Sequence, residues 1–290
     1  MKSLVCILLT FFSFTNHVKA QVDKLDSLKL EQMYSSAFGN WQNGELEEAL
    51  TECDLILSHD PSFAKTHYLK GNILDDVNNN TGADAAYKLA IDLDSAYSDY
   101  VKQYRIGKYH ETASARSEDR NYDDALINYT KALEIDSSYS WTWYERGRVK
   151  EWMHNNEGAM DDFKKAYELD SMNVEIIYSI ANLESESGNY TSAIALYTKI
   201  ISHRLNSYHS PFYIVYFLRG EAKKMQEDYE GALEDYAILL SYDRENPEYY
   251  RRRGLLFIQL KKSSEACEDF IQANLLQKGI ADEYILSFCR

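Results

Sequence analysis

"YDDALINYTKALEID", Tyr122 to Asp136, sets an alanine, Ala125, four residues before Tyr129 and seven before Ala132. The phrase returns as "YTSAIALYTKIIS" from Tyr190 and as "YEGALEDYAILLS" from Tyr229. The same alanine can be followed through the chain as Ala49, Ala83, Ala125, Ala159, Ala193, Ala232 and Ala266. Successive separations are 34, 42, 34, 34, 39 and 34 residues, a base period of 34 with two insertions. Four residues after each alanine stand Cys53, Tyr87, Tyr129, Phe163, Tyr197, Tyr236 and Phe270, and three further on comes an alanine or aliphatic residue. Twelve residues before each stands a small one: Ala37, Gly71, Ala113, Gly147, Ala181, Gly220 and Gly254.

Residues at i, i+4 and i+7 share one face of a helix. The small residue belongs to a preceding helix, where lack of bulk lets two antiparallel helices approach. Polar turns such as Asn43-Gly44 and Gly188-Asn189 separate them. Such a helix–turn–helix unit buries its apolar face only against its neighbours, which is why it must be repeated.

A 34-residue period with this small–Ala–aromatic–Ala pattern resembles the tetratricopeptide-repeat family. Trp143, Gly147, Ala159, Phe163 and Ala166 make the fourth copy one of the most typical. The resemblance implies an all-α chain: a right-handed α-solenoid of about seven helix–turn–helix units over residues 30–280. The units start near 30, 64, 106, 140, 174, 213 and 247, with a short capping helix in 281–290. Proline, which often closes a unit in the family, is nearest at Pro61 and Pro247. Elsewhere Asp-Ser, as at Asp136-Ser137, is expected to break the helix and cap the next. The first copy, with Met33 and Cys53 at usually aromatic places, reads as an atypical end repeat.

In the family the first helix of each unit lines a concave groove where ligands bind. Three residues before the small residue stand Tyr34, Tyr68, His110, Tyr144, Tyr178, Phe217 and Arg251; one after it stand Phe38, Asn72, Ser114, Arg148, Asn182, Glu221 and Leu255. A spacing of four puts each pair on one face. The groove is therefore expected to carry an aromatic ladder with Asn and Arg between, suited to a peptide segment. Tyrosine is also common in the family at the first of these places, so consensus packing accounts for the same ladder. Asn72 and Asn182 match single elements of the carboxylate clamp of chaperone-tail repeat domains, but its lysine is missing and no complete clamp forms. "EYYRRRG", Glu248 to Gly254, has two readings: a local site for an acidic segment, or a solvated helix partly neutralising an acidic chain.

Of the two insertions, residues 94–105 lack proline and glycine and extend a helix, whereas 202–213, with Asn206-Ser207 and Pro211, read as a loop. Either can be a binding feature or a device that alters curvature.

The chain carries 31 basic and 46 acidic residues, a net charge of −15. That excludes nucleic acid and anionic lipid as expected partners. Residues 1–20 read as a signal peptide, with Lys2, an apolar run from Leu4 to Phe14 and Val18-Lys19-Ala20 before the cut. Residues 21–29 form a lead-in. The expected product is exported, periplasmic or extracellular, and without a membrane anchor, the apolar run being too short to span. Cys53 is expected to be a small buried hydrophobe, and pairing of Cys267 with Cys289 is left open. Asp-Ser-aliphatic triplets at Asp26, Asp94 and Asp170 resemble an O-glycosylation acceptor, though capping and turn chemistry account for the same residues.

The sequence holds no HExxH, CxxC, GxSxG or Gly-rich phosphate loop, and His203 and His209 lack a third ligand. No catalytic residue, metal or cofactor is expected. The expected function is a scaffold holding a protein or peptide segment in the groove. The alternative is a module stacking sugar rings or another small ligand on the same aromatics. Self-association through the end repeats stays open.

Overall fold

The computed structural model describes residues 27–204 and 213–289. The signal peptide with its cut at Ala20, and the central part of the second insertion, lie outside the described residues. Among the described residues there are fifteen helices and no strand. They run in pairs: α1 (27–42) with α2 (Leu46–His59), α3 (Ala64–Asp76) with α4 (Asn80–Leu93), and α5 (Tyr97–Glu118) with α6 (Tyr122–Ile135). Then come α7 (Ser140–Trp152) with α8 (Asn156–Leu169), and α9 (Val174–Glu186) with α10 (Tyr190–Arg204). Last are α11 (Tyr213–Met225) with α12 (Tyr229–Tyr242), α13 (Pro247–Gln259) with α14 (Ser263–Leu276), and a short α15 (Asp282–Phe288). The architecture is an all-α solenoid of seven helix–turn–helix repeats and a cap. No described helix is long and apolar enough to cross a membrane.

The repeated positions make the core. All seven alanines of the period are fully buried, as are Tyr129, Phe163, Tyr236 and Phe270 four residues on. The small residue of the first helix meets the aromatic ring of the second. A Cβ on Gly147 would lie 2.6 Å from the Phe163 ring, and one on Gly254 2.6 Å from the Phe270 ring. In repeats four and seven the helix contact therefore excludes any side chain at that place. Cys53 is fully buried, and burial pushes its thiol up to about 12, so it stays a neutral hydrophobe.

The links are built from short polar residues. Between the helices of a pair the chain takes one left-handed residue, for example Gly188 (φ 81°) or His154 (φ 61°). An N-cap follows: Asn155 accepts a hydrogen bond from the Gly158 N–H, and Asp228 accepts one from Gly231. Between repeats an aspartate does the work differently from the expectation. Asp60, Asp94, Asp136, Asp170 and Asp243 each accept from the N–H two residues on, closing a turn rather than capping the next helix. The capping falls to Asn173 and Asn246 in repeats five and seven.

The described residues divide into two compact units, one up to Lys108 and one from Tyr109, the division falling inside α5. In the first unit the core joins Ala37, Ala49, Cys53, Ile56, Leu69 and Ile73, with Ala83, Tyr87 and Val101 beside α5. In the second, clusters link successive repeats, one of them joining Tyr144, Phe163 and Ala166 to Ile176, Ile180 and Leu183. Cys267 and Cys289 form a disulfide that fastens α15 to α14.

Candidate functional site

The candidate site is the face of the first helices, taken unit by unit. In residues 1–108, Tyr34 and Phe38 stack along α1 at 6.2 Å, and Lys65 stands over the Tyr34 ring at 4.3 Å. Burial, with neighbouring Tyr97, pushes the Tyr34 hydroxyl up to about 12, so it stays protonated. Tyr68 is half-buried, whereas Asn72 is only 2 % exposed and spends its side-chain oxygen on the Tyr87 hydroxyl at 3.0 Å. Asn72 is thus placed beneath the surface, contrary to the expectation of a ligand-facing amide.

The first insertion contributes most to this face. It lengthens α5 to 22 residues, against 13 in α3, α7 and α9. Tyr97, Tyr100 and Tyr104 fall on one side of that extension. Tyr97 and Tyr100 gather on Tyr68, with ring centroids 5.4 and 6.2 Å from it and 5.8 Å from each other. Tyr104 donates to Asp76 at 2.7 Å, and the Trp41 indole N–H donates to the other oxygen of the same carboxylate at 2.7 Å. Arg105 pairs with buried Asp75 and with Asp84. Asp76 thus ties α1, α3 and α5 together. Sequence reasoning marked the insertion but none of these tyrosines; the i, i+3, i+7 spacing of Tyr97, Tyr100 and Tyr104 is the signal that reveals them.

In residues 109–290, His110 lies edge-on to Tyr129 at 5.3 Å, and its Nε2 is buried without a partner. Burial pushes its pKa down, against the pull of Glu145 and Glu111. Tyr144 is 7 % exposed and packs on Phe163, so it belongs mainly to the core. Arg148 stands over the Tyr144 and Trp152 rings, at 5.9 and 4.7 Å. Trp141 contacts Tyr144 at 4.9 Å. Trp141 and Trp152, both more than two-fifths exposed, join Arg148 along one side of α7, and sequence reasoning missed both. Tyr178 is half-buried against the cluster of Ile177, Ala181 and Tyr197. Phe217 packs edge-on to Tyr236 with Arg252 over it at 5.0 Å.

Two rules internal to the repeats explain several residues read as ligand-facing. Where the second helix carries tyrosine, the residue fifteen before it hydrogen-bonds the hydroxyl. The pairs are Tyr87 with Asn72, Tyr129 with Ser114, Tyr197 with Asn182 and Tyr236 with Glu221. Where the ring is Phe163 or Phe270, Arg148 or Leu255 stands there instead. A buried hydroxyl needs a partner and a phenylalanine does not. Asn182, like Asn72, is therefore engaged within its own repeat.

The second rule is a buried ion pair across the repeat. Arg146, Arg219 and Arg253 each grip an aspartate sixteen residues on, Asp162, Asp235 and Asp269, through two guanidinium nitrogens. The basic run is accordingly spent: Arg253 on Asp269, Arg251 on Glu248, and Arg252 on Glu248 and Glu221. Neither an open acidic-segment site nor a freely solvated helix describes it. Among the described residues no group of three or more His, Cys, Asp or Glu side chains could hold a metal ion.

Tetratricopeptide-repeat models match residues 64–97 and 217–273. No curated protein matches the chain. Among solved structures it is similar to MamA, with 18 % identity, 63 % of this chain and 95 % of that chain covered, and a TM-score of 0.54. MamA from Desulfovibrio magneticus RS-1 shares 15 % identity over 61 % of this chain and 97 % of that one, again at 0.54. YrrB, described as a TPR protein with an unusual peptide-binding site, shares 20 % over 67 % and 94 %, also at 0.54. At these identities the likeness is one of fold. With the period, the helix pairs and the two matched stretches, the chain is a tetratricopeptide-repeat protein.

Proposed function

We propose that this chain is an exported scaffold that holds a segment of a partner protein against the face of its first helices. The observation that carries this reading is the row along α7, where exposed Trp141 and Trp152 lie on either side of a half-buried Arg148. Exposed tryptophan beside arginine is the composition of a protein-binding hot spot. The peptide-binding site named for YrrB is consistent with such use of the fold. No catalytic step belongs to this reading. Export rests on residues 1–20 and on the bonded Cys267 and Cys289, since such bonds persist in oxidising compartments.

The test uses residues 21–290 as bait in an extract of the source cells, beside a Trp141→Ser/Arg148→Ala variant shown by circular dichroism to be folded. A partner retained by the first and lost by the second supports the groove reading; equal retention by both removes it. Tyr144→Ala is a poor probe, because truncating so buried a ring opens a core cavity costing about 3–5 kcal/mol. For export, intact mass of the protein from the envelope fraction should show a chain beginning at Gln21. A full-length chain found in the cytosol refutes it.

A further inference from the structure

On three of the first-helix faces a cation of the chain stands over an aromatic ring. Lys65 stands over Tyr34, Arg148 over Tyr144, and Arg252 over Phe217. At Tyr68, Tyr97 and Tyr100 three rings touch, yet among the described residues no lysine or arginine stands over any of them. Tyr100 is 56 % exposed. Burial first, and then Asp94 three residues before it, raise the Tyr97 hydroxyl pKa, while Glu31, which also bears on it, is paired with Lys65. The rings are mutually tilted by 37–53°, so they present no flat platform for a sugar ring. An exposed ring face with a carboxylate close by and no cation of the chain over it suits a compact cation.

We infer that the Tyr68–Tyr97–Tyr100 cluster, with Asp94 three residues before Tyr97, is a docking position for a lysine or arginine side chain of the partner segment. This rests on the groove reading above and names the partner's chemistry at one step of it. The first insertion then has a binding role as well as a bracing one: Tyr104 and Arg105 brace α5 against α3, while Tyr97 and Tyr100 build the cation seat. The acidity of the whole chain favours approach of a basic segment.

The test measures fluorescence polarisation with three sets of twelve-residue peptides of equal apolar content, carrying three arginines, three glutamates or no charge. Maltohexaose is added as a competitor. The arginine set should bind about tenfold more tightly than the neutral one, within the range of cation–π contacts. Tyr100→Leu, which keeps apolar bulk but removes the ring face, should abolish that preference with the thermal midpoint unchanged. Full retention of the preference by Tyr100→Leu, or equal binding of arginine and neutral sets, overturns the cation seat and leaves the groove reading standing. Displacement by maltohexaose that depends on Tyr100 assigns the cluster to sugar and also overturns it. Failure of every peptide set to bind removes the groove reading itself, and this inference with it.

Discussion

Gly147 shows how little freedom a repeated position has. Its missing side chain is where the Phe163 ring sits, and the Ala159 carbonyl would be 3.3 Å from an added Cβ. Gly147→Ala should destabilise the protein by about 1–3 kcal/mol, the range for overpacking a core, measured by urea denaturation. Tyr197 carries the opposite constraint, a hydroxyl whose acceptor is Asn182 at 2.7 Å. Tyr197→Phe should cost about 1 kcal/mol, and adding Asn182→Leu should recover most of it. The double variant gives repeat five the pairing that repeat seven has in Phe270 and Leu255, so a cycle of melts in which the two costs simply add would contradict the rule. His110 brings pH dependence. Burial lowers its folded pKa below the ordinary 6.5, so the folded state binds that proton less readily than the unfolded one. Its contribution to stability is therefore present above 6.5 and lost as the pH falls through the lowered value. His110→Phe should flatten the dependence of the urea midpoint between pH 7 and pH 5, with the two proteins diverging only on the acid side.

At the scale of elements, helix α15 is the one most dependent on a single bond. It is seven residues long and has no side-chain N-cap. It lies over the last repeat, stacking Tyr284 on Phe270 at 5.1 Å, and Asn274 accepts from the Ala281 N–H at 2.9 Å. The disulfide closes a separation of 22 residues, for which loop entropy alone suggests about 3 kcal/mol at most. Helices of this length are marginal without tertiary support. Cys267→Ser should release residues 282–289 to rapid amide exchange and leave α13 and α14 protected; unchanged protection of α15 would show that ring stacking alone suffices. The long α5 teaches the complementary lesson. Its extra turns were legible as helix from the absence of proline and glycine in residues 94–105. Which side they present was decided by Tyr104 reaching Asp76 and Arg105 reaching Asp75.

Across the whole molecule, stability is built between neighbours, since each apolar cluster joins only successive elements. Charge acts over a longer range. Acidic residues outnumber basic ones 46 to 31, and many buried cations already have partners, as Arg219 and Lys223 do on Asp235. The excess of carboxylates therefore repels itself at the surface, where salt screens it. Raising sodium chloride from about 10 to about 150 mM should lift the thermal midpoint by a few degrees, the Debye length shrinking from ~30 to ~8 Å. A midpoint that falls instead would mean that exposed ion pairs outweigh the net repulsion. Weakening of partner binding over the same range would accord with a basic partner segment.

The sequence by itself determined the repeat, the pairing of helices and the rings that fill the core. All of these depend on spacings of four, seven, twelve and thirty-four residues, and helix periodicity converts spacing directly into a shared face. What it left undecided was which polar and aromatic residues remain free. Asn72 and Asn182 read as ligand-facing until the tyrosine hydroxyls fifteen residues away engaged them, and the run Arg251-Arg252-Arg253 read as open until Glu248, Glu221 and Asp269 closed on it. Those partners lie on other turns or other helices, so only tertiary packing sets their distance. The same holds for Tyr97 and Tyr100, whose faces acquire meaning from the Tyr68 ring that packing brings against them.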